Sequence, residues 1–171
     1  MKTIRGILAA SALMLAAALS GGCGIYSFSG TSIQPDVETI TINYFEYKAE
    51  KVNPALSNQI TEDLRTQFRK MTRLEQVDID GDLEIEGEVT GYDVAASAVT
   101  ADEVAARNKL TVTVKVKFTN RKYPEDNLEQ NFSAFEEYDS TQSLDAVQDA
   151  LCADIVKKLI EDIFNATVAQ W

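Results

Sequence analysis

The sequence predicts an α+β fold, a two-layer sandwich in which two helices cover one face of a four-stranded mixed sheet in the order β-α-β-β-β-α. Three observations predict it. Apolar and polar residues alternate through four separate runs, as they do in strands with one buried face. Two other runs repeat apolar residues three and four apart, as in helices with one buried stripe. The opening β-α-β order requires a crossover, which makes at least one pair of strands parallel.

The chain starts with the features of a secretory leader. Lys2 and Arg5 give a positive beginning, and 7 to 19 is an uncharged run too short to span a bilayer as a helix. Leu19-Ser20-Gly21-Gly22-Cys23 then sets small residues ahead of a cysteine. Small residues let a cleaving enzyme reach the backbone, and the thiol carries diacylglycerol. The expectation is a signal peptide over 1–22 and lipid attachment at Cys23, with 23–36 an acylated tether rich in Ser and Gly. An ordinary leader cleaved near Ala18 or Gly22 is the competing reading, and it leaves an unexplained thiol at the mature terminus. Two or more acyl chains, at roughly 0.8 kcal/mol per buried CH₂, hold a protein stably on a membrane. Gly24 rather than an aspartate follows the cysteine, so the outer membrane, on its periplasmic side, is the expected location.

The single domain is expected over 37–171. A first strand at 37 to 46 alternates Ile40, Ile42 and Tyr44 with Thr39, Thr41 and Asn43. Asn53-Pro54 reads as a helix start, with Asn as the cap and Pro at the first helical position. Leu56, Ile60, Leu64 and Phe68 make one stripe along a helix of 54 to 71, and Arg65, Arg69, Lys70 and Arg73 crowd its C-terminal end. A strand over 82 to 99 carries Leu83, Ile85, Gly87 and Val89 on one face, with a bulge at Gly91-Tyr92 that hands the apolar register to Tyr92 and Val94. The cleanest strand, 108 to 121, turns Leu110, Val112, Val114, Val116 and Phe118 one way and Thr111, Thr113, Lys115, Lys117 and Thr119 the other. A turn around Pro124 leads to a fourth strand, 128 to 138, with Phe132 and Ala134 inward. The last helix, 143 to 168, has Ser143 as its cap. Its seam runs Leu144, Val147, Leu151, Ile155, Leu159 and Ile163, widened by Val156, Ile160 and Phe164, and Cys152 borders it as a small core residue.

Composition excludes more than it selects. Losing Lys2 and Arg5 with the leader takes the net charge from −11 to −13, which argues against nucleic acid and against broad attraction to anionic headgroups. There is no histidine, so His-based triads and the usual zinc sites are excluded. Asp78-Ile79-Asp80-Gly81-Asp82 has a superficial calcium-loop look, but the twelfth position from Asp78 is Val89 rather than a bidentate glutamate, so it reads as a tight turn rimmed by solvated acids. The adjacent Glu136-Glu137 pair does not place one acid across a cleft from another. No enzyme, metal or cofactor is expected.

The chain resembles the Bacteroidetes-like branch of the lipopolysaccharide-assembly lipoprotein family LptE. The resemblance begins at Cys23-Gly24 with Ile25, Phe28, Gly30 and Pro35. It continues through Asn53-Pro54-Ala55-Leu56 and Gly87-Glu88-Val89-Thr90-Gly91-Tyr92. It closes with Phe132-Ser133-Ala134-Phe135 and Tyr138-Asp139-Ser140-Thr141. These pieces stand in order along nearly the whole mature chain. The resemblance implies a helices-on-sheet sandwich and a role without chemistry: a plug in the lumen of an LptD-like outer-membrane β-barrel that helps the barrel fold and helps lipopolysaccharide reach the outer leaflet. Another lipoprotein adaptor, such as a secretin pilot or a lipid-transport auxiliary, is the alternative.

One charge asymmetry points to a contact surface. No acid occurs between Val104 and Pro124, while Arg107, Lys109, Lys115, Lys117, Arg121 and Lys122 supply six of the 14 basic residues that remain after the leader. Arg107, Lys109, Lys115 and Lys117 are the positions for contact with lipopolysaccharide phosphates or with acidic groups on the barrel wall. Two plainer readings stand beside these: strand lysines that guard against edge pairing, and charges that balance acids such as Glu84, Glu86 and Glu88.

Overall fold

A computed structural model describes residues 32–51, 53–97 and 106–169. The expected leader, Cys23 and most of the tether lie outside the described residues. Six strands and two helices follow in order: β1 (Thr39–Ile42), β2 (Glu46–Tyr47), α1 (Ala55–Met71), β3 (Glu75–Gln76), β4 (Leu83–Ala96), β5 (Arg107–Asn120), β6 (Leu128–Asp139) and α2 (Leu144–Val168). A single 3-10 turn, Pro124–Asp126, joins β5 to β6. The sheet runs β3-β1-β4-β5-β6, with β2 also on β4. β1 is parallel to β3 and β4, β2 is parallel to β4, and β4, β5 and β6 form an antiparallel meander. The mixed sheet under two helices is the predicted architecture.

The strand count is not. The sheet has six strands rather than four, because β2 and β3 are two residues each, too short to show alternation. The predicted first strand breaks at 43 to 45. Ile42 pairs with Ile85 and Glu46 with Glu88, so three residues on one side face two on the other. The extra residue turns Phe45 into the core, where it is fully buried. Gly87 makes room for it: a Cβ there would sit 2.2 Å from the Phe45 ring. The Phe45 N–H donates to Thr61 Oγ1 at 3.1 Å, and Thr61 donates in turn to the Ser57 carbonyl at 2.7 Å, fixing this flank of the sheet to α1.

The core lies between sheet and helices. Ile40, Ile85, Val89, Leu110, Val112, Val114 and Val116 from the sheet meet Leu56, Ile60, Leu64 and Phe68 of α1 and Ile155, Leu159 and Ile163 of α2, and all of these are essentially inaccessible. Phe68 and Phe164 meet edge to face at 5.1 Å where the helices touch. The β4 bulge falls between Val89 and Gly91, after which Tyr92 and Val94 take the inward register as predicted. Phe132 and Ala134 face inward, and Cys152 is buried.

Three local expectations differ in detail. Pro54, not Asn53, occupies the α1 N-cap, without a side-chain cap bond; the Asn53 amide is instead directed at Cys152 Sγ, 3.7 Å away. Ser143 is the α2 N-cap, but its hydroxyl makes no cap bond; the preceding turn is held by Asp139 Oδ1, which accepts from the Thr141 N–H and hydroxyl at 2.8 and 2.6 Å. Leu144, Val147 and Leu151 at the start of the α2 seam are only half-buried, whereas the seam is closed from Cys152 onward.

Asp78 to Asp82 is a bend, and Asp82 gives it a structural purpose. Its carboxylate accepts from the Glu38 and Thr39 N–H groups at 2.9 and 3.2 Å, while Thr39 Oγ1 accepts from its own N–H at 2.9 Å. Basic side chains cover the sheet margins. Arg65 donates to the Ile42 carbonyl at 2.8 Å, and Lys158 donates to the Phe135 carbonyl at 3.2 Å.

Candidate functional site

Both helices lie on one face of the sheet, so the other face displays the outward residues of β4, β5 and β6. The alternation of β5 puts Arg107, Lys109, Lys115 and Lys117 on that face, and Thr111 and Thr113 separate them into two pairs about 20 Å apart along the strand. Lys115 and Lys117 form one group and Arg107 and Lys109 the other.

Three of the four are matched to carboxylates on neighbouring strands. Lys115 Nζ is 2.6 Å from Glu129 Oε1, and Lys117 Nζ is 2.6 Å from Glu86 Oε2. Arg107 Nη1 is 3.6 Å from Glu137 Oε2. Lys109 differs: it pairs with no described carboxylate, and its Nζ stands 5.0 Å from the centroid of the Phe135 ring. Further along, Arg121 bridges Asp80 and Glu84 at 2.8 and 2.9 Å, and Lys122 meets Asp82 at 3.1 Å. Apart from Lys109, the basic residues of the acid-free stretch are thus matched by acids of β4, β6 and the bend before β4, which sequence order alone does not reveal.

Around Lys115 and Lys117 the face is dished into a depression of about 390 Å³, with Tyr44, Lys48, Glu88 and Glu129 on its walls. Lys48, which bridges Glu46 and Glu88, was missed by the sequence reading because it follows the predicted end of the first strand by two residues. Phe135, half exposed, could have been found: with Phe132 and Ala134 inward, the period of two sends it outward beside Lys109.

The electrostatics hold these charges in place at neutral pH. The Glu129 carboxylate raises the Lys115 ammonium above its ordinary range, Glu86 does the same to Lys117, and Lys115 in turn lowers Glu129. Arg121 lowers Glu84. Away from this face, burial pushes the Tyr92 phenol up to about 12 and raises the Cys152 thiol, which keeps that thiol protonated and unreactive. Among the described residues no cluster of three acidic or cysteine side chains could hold a metal ion, and no helix is long and apolar enough to cross a membrane. The outer face presents paired charges and two exposed rings, Tyr44 and Phe135.

Comparison with known proteins agrees with this architecture. The family model described as lipopolysaccharide-assembly, LptE, matches residues 37–167. A hypothetical protein from Chlamydia trachomatis shares the fold at a TM-score of 0.51 and 7% identity, over 76% of this chain and 97% of that one. A minor lipoprotein from Acinetobacter baumannii aligns at 0.48 and 11% identity, over 74% and 89%. Lipoprotein B from Nitrosomonas europaea aligns at 0.46 and 14% identity, over 77% and 85%. No curated protein matches.

Proposed function

Because the chain belongs to the LptE family of lipopolysaccharide-assembly proteins, we propose that it is a lipid-anchored accessory of lipopolysaccharide export, the plug and assembly partner of an LptD-like outer-membrane β-barrel. The observation that carries this reading is the family match over residues 37–167. The architecture is compatible with it: a closed core presents a broad sheet face on which Arg107, Lys115 and Lys117 are already paired, so that most of its cations can lie against a protein wall without standing as isolated ions out of water. Acylation at Cys23 would place the domain at the outer membrane, on the periplasmic side or within the barrel lumen. The domain acts by bracing and positioning, with no catalytic step.

Arg107, Lys109, Lys115 and Lys117 are the proposed contacts for lipopolysaccharide phosphate or for acids of the barrel wall. Lys109 leads this group, since it has no described carboxylate partner and stands over an exposed aromatic ring. Affinity purification of a tagged copy from detergent-extracted outer membranes tests the reading. Recovery of one large barrel at near-equal stoichiometry is expected. The lipoprotein alone, or a secretin in place of the barrel, would overturn it.

A further inference from the structure

Three cations without acidic company gather at the C-terminal end of α1. Between Asp63 and Glu75 the sequence holds no acid and four bases, Arg65, Arg69, Lys70 and Arg73. Arg65 pairs with Glu62 at 2.8 Å. Among the described residues no carboxylate lies within ion-pair distance of the other three. Arg69 meets the neutral Gln76 amide at 3.4 Å, and Arg73 donates to the Gln34 and Val37 carbonyls at 2.6 and 3.5 Å. The cations of the β5 run, by contrast, are matched across strands in all but one case.

Nor are these head groups engaged in closing the helix. Thr72 donates to the Phe68 carbonyl from its N–H and its hydroxyl, at 3.0 and 2.7 Å, and the Gln76 amide donates to the Arg65 carbonyl at 2.6 Å. Arg69, Lys70 and Arg73 are exposed, and Met71 among them is 54% exposed. We propose that this end of α1 docks on an anionic phospholipid surface. Arg69, Lys70 and Arg73 meet headgroup phosphates there, and Met71 meets the boundary with the acyl chains.

The entry of the chain puts the patch within reach of such a surface. Arg73 fastens Gln34 and Val37, and just before them the Ser32 N–H donates to the Val168 carbonyl at the end of α2, at 2.8 Å. Ser32 stands nine residues after Cys23, a reach of about 32 Å at full extension. This step rests on the acylation proposed for Cys23, which keeps the α1 end no further than that from a bilayer. The overall negative charge does not cancel the patch from a distance, since at physiological salt charges are screened over about 8 Å.

Vesicle co-sedimentation of the mature chain carrying Cys23→Ser, which leaves no thiol to acylate, reads the patch alone, so its failure and that of the barrel reading are told apart. The chain should bind vesicles of phosphatidylcholine mixed with phosphatidylglycerol, lose that binding as salt rises, and ignore phosphatidylcholine alone. A cation beside an anionic membrane is worth about a fivefold change in partition, so Arg69→Gln, Lys70→Gln should weaken binding about 25-fold. Lys51→Gln, Lys157→Gln removes the same charge from exposed positions elsewhere and should weaken it less than about threefold. Far-UV circular dichroism checks that all of these proteins are folded. No binding to the phosphatidylglycerol vesicles, or equal losses in the two double variants, overturns the inference. A photo-crosslinker at position 70 that captures the barrel and no phospholipid in outer membranes also overturns it, and assigns the patch to an acidic protein surface.

Discussion

Gly87→Ala tests how the flank of the sheet around β2 is built. A Cβ at this position would lie 2.2 to 2.5 Å from three atoms of the Phe45 ring. Carbon atoms rest at roughly 3.5–4.0 Å, so the ring must retreat by more than an ångström. It has nowhere open to go, being fully buried with its backbone N–H bonded to Thr61. Overpacking costs about 1–3 kcal/mol, and the shortness of these approaches puts the expected loss near the top, about 3 kcal/mol. Phe45→Ala alone empties the site and should cost about 3–5 kcal/mol. In the double variant the new methyl group occupies space the ring has vacated. The combined loss should therefore fall short of the sum by about 2 kcal/mol or more. Urea unfolding followed by far-UV circular dichroism, with midpoints and slopes fitted for all four proteins, reads these values. A Gly87→Ala protein within about 0.5 kcal/mol of wild type, or two losses that simply add, would refute the reasoning.

Other expectations follow from the same contacts. Thr61→Val keeps the shape but leaves the buried Phe45 N–H without an acceptor, for a loss of about 1–3 kcal/mol that Thr61→Ser should largely spare; equal losses in the two variants would show that the hydroxyl is not responsible. Asp82 is held below the ordinary carboxylate range, chiefly by the Glu38 N–H. A depressed folded-state pKa contributes stability above the unfolded value, about pH 4, and loses it as pH falls through the folded one, so the gap between wild type and Asp82→Asn should narrow on acidification. A gap that stays constant down to about pH 3 would remove Asp82 as the cause. Reversing Lys115 and Lys117 to Glu should leave the fold intact, since exposed pairs contribute about 0–1 kcal/mol, yet weaken lipopolysaccharide binding and flatten its salt dependence. Unchanged binding in a lipopolysaccharide pull-down at two salt concentrations would dismiss these two lysines as contacts.

The long elements were legible because each carries a period. β5 keeps its alternation for fourteen residues, and the stripe on α1 repeats every four, so strand, helix and buried face could all be read directly. The β4 bulge was legible from Gly91, where the apolar register changes face. Two-residue strands have no period to read. β2 and β3 exist because β4 and β1 offer backbone partners that lie about forty residues away in sequence. Phe45 was hidden for the same reason, since its inward turn depends on the missing side chain at Gly87. In the candidate site the positive run was legible in the sequence, but its company was not. Whether Lys115 faces an open ligand or Glu129 is decided by the pairing of β5 with β6, a property of register and not of local composition.

The clasp between Ser32 and Val168 sets a timetable. Its two halves stand 136 positions apart, so the first described residue cannot dock until nearly the last turn of the final helix has been made. β1 waits as well, because its parallel partner β4 begins 41 positions after its own last residue. β4, β5 and β6, each next to its successor, can assemble on contacts close in sequence, which form soonest. Ser32, early in the chain, is therefore fixed late, and a chain arrested before Val168 would leave Ser32 undocked from the finished meander.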